Sequence, residues 1–245
     1  MANELQVPEN IKALLAEQSA AELDKERSTN DIVFLSSRGK KWRVDDETLP
    51  AELHVVVGVA TYEKTYYDRD YDPGASFPPA CFAAATSIED LVPHDTSPDP
   101  QHTVCSECPL NKFETARIGK GKACKDHRKM ILVNWTEEKG LETGQLAQYR
   151  LSPASLKNWG SYVKAVGLKL NVPTSAVVTT MTIDEEPDFP VVKFALHSVL
   201  RSEEDIRTIM ELKPKMEEAA LRPYNVEDYA PPPKAASAEK KSKMS

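Results

Sequence analysis

All four cysteines of this 245-residue chain fall between Cys81 and Cys124, inside a stretch where regular hydropathy patterning disappears. From Asp72 to Lys129 the sequence carries seven prolines (Pro73, Pro78, Pro79, Pro93, Pro98, Pro100 and Pro109) and no sustained apolar period. A loop of that length inside a compact domain needs a staple. Cys105-Ser-Glu-Cys108 is a C-x2-C pair, with Cys81 24 positions before Cys105 and Cys124 16 positions after Cys108. A pair at this spacing directs two thiolates at one metal from a tight knuckle, and Cys81 and Cys124 can complete a tetrahedral shell. A filled all-cysteine shell implies a structural zinc ion, whose binding energy becomes folding energy for the insertion. His102 and His127 are the alternative ligands, each able to replace one cysteine.

Other uses of the cysteines fit less well. The N-terminus has no basic region followed by an apolar block, so an oxidising compartment and disulfides are not expected. A redox C-x2-C pair needs a helix N-terminus in a βαβ context, and Pro109 to Glu114 makes only a weak case for that helix. A zinc deaminase needs H-x-E and P-C-x-x-C. Here no histidine has a glutamate two positions on, and the proline follows the pair.

Around the insertion the pattern is mostly that of strands. Ile32 to Leu35, a turn over Ser36 to Lys40, and Trp42 to Val44 read as strand, turn and return strand. Leu53 to Ala60 is the strongest strand, its apolar run broken only by His54, which predicts burial on both faces. Glu63 to Tyr71 reads as a following hairpin arm. Met130 to Trp135, Gln145 to Leu151, Ala176 to Ile183 and Val191 to His197 are further strands. Helices are expected over 8–26, from Ser152-Pro153 to about Val166 (Leu156, Trp159, Val163 and Val166 inward), and from Ser202 (Ile206, Ile209, Met210 and Leu212 inward).

This is a mainly β (α+β) chain of about seven strands, and the economical architecture is an OB-like barrel with a long zinc-stapled insertion and flanking terminal helices. A β-sandwich is the alternative. The expected organisation is a helical segment over 1–30 and an OB-like β domain over 31–200 that includes the insertion 72–129. A C-terminal helix over 201–229 and a disordered tail over 230–245 follow. The tail, Pro- and Lys-rich, cannot bury enough apolar surface to offset its ordering entropy. Its cationic end is expected to add affinity for nucleic acid, the alternative being attraction to the chain's own acidic stretch near Glu217, Glu218, Glu227 and Asp228, which would make the tail an inhibitor. The longest apolar run, Val55 to Ala60, is far short of the ~20 residues that span a bilayer, so no membrane role is expected.

Net charge is −7, which argues against coating nucleic acid by bulk charge. Lys112 to Lys129 nevertheless holds seven basic and two acidic residues. Gly119-Lys-Gly-Lys is a false match to a nucleotide-triphosphate loop, because G-x4-G-K-[ST] is absent. As a rigid strip of cations, Lys120, Lys122, Lys125 and Arg128 are candidate contacts to a nucleic-acid backbone. A solvated zinc-loop surface is the bland alternative. Tyr62, Tyr66, Tyr67 and Tyr71, interleaved with Lys64 and Arg69, combine rings for base stacking with charges for phosphates. Alternation separates Tyr62 and Tyr66 from Tyr67 and Tyr71, so one pair is platform and the other core. Trp42 and Phe77 are read as core. Asp45-Asp46 and Glu185-Glu186 are read as solvated turns. No G-x-S-x-G elbow or other catalytic constellation is present, and no enzymatic activity is expected.

Pro79-Ala-Cys81-Phe82, Cys105-x-x-Cys108-Pro109-x-Asn111, Gly119-Lys-Gly-Lys-Ala-Cys124-Lys125-x-x-Arg128 and Leu151-Ser152-x-x-Ser155-Leu156-x-x-Trp159-x-x-Tyr162-Val163 together resemble a family of tailed-bacteriophage proteins described as zinc-containing single-stranded DNA-binding proteins. The likeness covers Ile32 to about Phe194. It implies a role in phage DNA replication or recombination, single-stranded DNA and phage replication proteins as partners, and the host bacterial cytoplasm as location. An acidic C-terminal tip, common among such binders, is absent. The competing class is a zinc-stabilised structural or protein-interaction module without nucleic-acid binding.

Overall fold

The structure, a computed structural model, describes residues 32–69 and 77–224. The helix expected over 8–26, Tyr71, the end of the 201–229 segment and the tail 230–245 lie outside the described residues. Nine strands and two α-helices are described: β1 (Ile32–Ser36), β2 (Arg43–Val44), β3 (Glu47–Thr48), β4 (Glu52–Tyr66), β5 (Cys81–Ala85), β6 (Lys125–Thr136), β7 (Gly140–Leu151), α1 (Leu156–Leu170), β8 (Val177–Asp184), β9 (Val191–Val199) and α2 (Glu203–Leu221). The chain is mainly β, of α+β class. Strand order is β3-β2-β1-β7-β6-β4-β8-β9, with β5 paired to β4. β1 runs parallel to β7 (Ile32 opposite Leu146), while β8 is antiparallel to both β4 and β9.

The described residues form two compact units, 32–60 with 129–220 and 61–69 with 77–128 and 221–224. In the first unit both faces of the sheet are buried. Val55, Val57, Met130, Leu132, Val177 and Met181 pack with Trp159, Tyr162 and Val166 of α1. The residues between them, Val56, Ile131, Val133 and Val178, pack with Ile209, Met216 and Ala220 of α2. Two covered faces explain why β4 and β6 read as continuous apolar runs rather than alternating ones. Trp42 is core, 1% exposed. Asp45, Asp46, Glu185 and Glu186 are exposed.

Several expectations need correction. Leu53–Ala60 and Glu63–Tyr66 are one 15-residue strand, not two hairpin arms. Ala60-Thr61-Tyr62 offers no turn residue, so nothing interrupts the extended chain. The insertion contains a strand, β5, and already joins β6 at Lys125. A 3-10 turn over Pro153–Ser155 precedes α1, and neither Ser152 nor Ser155 caps it through its side chain. The Ser155 hydroxyl instead accepts the Val192 amide at 2.9 Å, tying α1 to β9. Tyr162, not Val163, faces the core from α1, and Met210 of α2 is 68% exposed.

Gly58 sits where α2 presses on β4. A Cβ there would lie 2.3 Å from Sδ of Met216, a fully buried side chain. Gly58→Val is expected to cost about 1–3 kcal/mol through overpacking. Adding Met216→Ala should recover part of that loss in a urea-denaturation double-mutant cycle. A variant as stable as the parent chain rules the clash out.

Tyr149 of β7 is 3% exposed, stands edge-on to Trp42 at 5.3 Å, and donates its hydroxyl to Ser37 at 3.1 Å. Burial pushes its pKa from 10.0 up to about 12, outweighing the opposing effect of Ser37. The unfolded chain therefore ionises first as pH rises. The stability tied to the neutral phenol is complete below pH 10 and is lost between 10 and about 12. That loss amounts to about 2–3 kcal/mol. Tyr149→Phe is expected to flatten the alkaline fall of the urea midpoint, and equal slopes in both proteins would contradict it.

Candidate metal centre and cationic loop

The four cysteines come from separate pieces of the second unit. Cys81 opens β5, where it lies opposite Tyr66 of β4. Cys105 and Cys108 form the knuckle, which closes through a 3-10 turn over Pro109–Asn111, with the Asn111 amide donating to the Cys108 carbonyl at 3.0 Å. Cys124 immediately precedes β6 and donates its amide to the Leu110 carbonyl at 2.9 Å. All four are buried and free of disulfides.

Together with Tyr66, Pro93, Gln101, His102 and Leu110, the four thiols line one cavity of about 10 Å³. That is room for about one water-sized particle. Burial pushes the Cys105 thiol up to about 11, with Cys81 raising it further and Lys64 opposing. Burial pushes Cys124 up to about 12, against Lys64 and with the other three sulfurs adding to the rise. Cys81 is raised by burial too. A tetrathiolate zinc site takes four cysteine sulfurs as its donor set. Among the described residues, no three or more His, Cys, Asp or Glu side chains stand grouped so that they could hold a metal ion. His102 lines the cavity, but its Nδ1 faces the Val104 backbone at 3.1–3.2 Å. His127 is half-buried on β6.

A polar network with little trace in the sequence braces the knuckle. Lys64, 5% exposed on β4, donates to Oδ1 of Asn111 at 2.8 Å and to Asp126. Lys122 donates to the other Asp126 oxygen at 2.8 Å and to Asn111 at 3.2 Å. Asn111 in turn donates to the Cys105 carbonyl at 2.9 Å. The buried Lys64 ammonium is therefore held by one carboxylate and one amide oxygen, and its charge opposes the upward push of burial on the Cys105 and Cys124 thiols. Only the Pro109-x-Asn111 motif hinted at this in the sequence.

The structure divides the nucleic-acid candidates. Lys120 and Lys125 are exposed. Lys122 is held by Asp126, and the Arg128 guanidinium lies 3.6 Å from the centre of the Tyr62 ring. Arg69 is paired with Asp68 at 2.9 Å and stacks on Phe77, which is 38% exposed rather than core. Alternation places Tyr62, Lys64 and Tyr66 on one face of β4, where Tyr62 packs against Ala83, Ala85, Leu91 and Cys105. Tyr62 and Tyr66 thus serve the insertion's interior, while Tyr67, half-buried, follows the end of β4.

Compared with protein-family models, curated proteins and solved structures, the chain matches none. Among the described residues no helix is long and apolar enough to cross a membrane.

Proposed function

We propose that this chain is a non-enzymatic single-stranded DNA-binding protein of phage replication or recombination. In this reading an OB-like β domain carries an insertion held by one structural zinc ion on Cys81, Cys105, Cys108 and Cys124. The observation that carries the proposal is the cationic loop that begins directly at the buried knuckle. Lys120 and Lys125 are exposed there and form no ion pair among the described residues. Zinc at the knuckle would fix the loop's shape, so that cations meet successive phosphates without first being ordered. The family resemblance adds the phage setting, the host cytoplasm and replication proteins as partners.

The zinc-stabilised interaction module remains the second reading, favoured by the internal commitments of Lys122, Arg128, Tyr62 and Tyr66. Titrating the full chain with fluorescein-labelled oligo-dT at 50 and 200 mM salt separates the two. A single-strand binder gives saturable binding that weakens steeply with salt. No binding at either salt removes this proposal and leaves the interaction module.

A further inference from the structure

Resting on the function just proposed, we infer that Phe113 is the aromatic platform on which a base of the bound single strand stacks, with Ile118 packing beside the strand. The loop from Lys112 to Lys122 is braced by its own hydrogen bonds. The Glu114 amide donates to the Lys120 carbonyl at 3.1 Å and the Ala116 amide to the Gly121 carbonyl at 3.0 Å. The Thr115 hydroxyl donates to the Lys112 carbonyl at 2.6 Å and accepts the Ala123 amide at 2.9 Å. Arg117 donates to the Asp68 carbonyl, anchoring the loop to the end of β4. Glu114 and Gly119 take left-handed backbone angles, φ 68° and 76°, that turn the chain at each side.

On this braced loop two large apolar side chains point into solvent, Phe113 at 73% exposure and Ile118 at 86%. Along the chain Lys112, Arg117 and Lys120 flank them with one acid, Glu114, while Lys122 is paired with Asp126. Lys122 lies 5.5 Å from the Phe113 ring centre, close enough to orient the ring by cation–π attraction. Exposed ring, flanking cations and pre-formed backbone fit a polyanion whose own aromatic groups can stack. The tyrosines of β4 fit it less well, since Tyr62 and Tyr66 face the insertion's interior.

The test compares wild-type full chain with Phe113→Ala, Phe113→Leu and Phe113→Trp, titrated into fluorescein-labelled oligo-dT at fixed salt. Zinc content and thermal midpoint check folding, which an exposed side chain should not alter. Loss of one base stack corresponds to about 5- to 150-fold weaker binding. Phe113→Ala and Phe113→Leu are expected to show it with an unchanged salt slope, and Phe113→Trp to retain wild-type affinity or exceed it. Binding unchanged in Phe113→Ala, or fully retained in Phe113→Leu, overturns the stacking role while wild-type binding still upholds single-strand recognition. Failure of the wild type to bind defeats both. Co-sedimentation with phosphatidylserine vesicles, lost in Phe113→Ala while oligo-dT binding persists, assigns the loop to a membrane and overturns the inference.

Discussion

Purified full-length chain is expected to contain one zinc ion per polypeptide, removable only by strong chelation. Apparent binding energies of structural zinc are about 10–16 kcal/mol, comparable with the whole stability of a small domain. The insertion's apolar cluster is small, Ala83, Ala85, Leu91 and Cys105 with Tyr62 beside them, and is not expected to match that. The first unit has two large apolar clusters of its own. Chelation is therefore expected to open residues 86–124 to proteolysis while residues 129–220 stay resistant. Cys105→Ser and Cys124→Ser are each expected to lower zinc occupancy and open the same segment. Metal-free protein with an unchanged proteolytic pattern before and after chelation defeats the tetrathiolate proposal.

Replacing Lys120 and Lys125 together by Ala is expected to reduce the salt dependence of oligo-dT binding most among the cationic substitutions. Removing one lysine–phosphate pair on a single strand lowers the logarithmic salt slope by about 0.7, so the double change is expected to lower it by about 1.4. Lys122→Ala is expected to act differently. It removes one of two cations from Asp126, with which it pairs at 2.8 Å, and so shows first in the stability of the insertion. Arg128→Ala likewise uncovers Tyr62. If the Lys120–Lys125 double variant keeps both affinity and slope, the basic segment is only the solvated surface of a stapled loop.

Most β strands outside the insertion were legible because their residues have strong, local reasons to extend. Val55 to Ala60 is mostly valine and Met130 to Trp135 is mostly apolar, and burial on both faces follows from such runs. That the cysteines come together was legible as well, since their spacing is a covalent fact about the chain. β5 was not, because Cys-Phe-Ala-Ala-Ala has little preference for a strand and gains one only by pairing along β4 from Tyr62 to Tyr66.

The sequence alone determined a mainly β chain and a proline-rich segment carrying every cysteine. It also determined a cationic strip beside them, because composition and spacing are local properties. Tertiary structure decided which of those residues remain available. Lys64, Asn111, Lys122 and Asp126 come from separate segments yet form one network. Arg128 covers Tyr62, and Phe113 stays exposed on a braced loop. The physical reason is that a side chain's availability depends on the competing partners the fold brings within bonding distance, and no residue's own chemistry or near neighbours encode that.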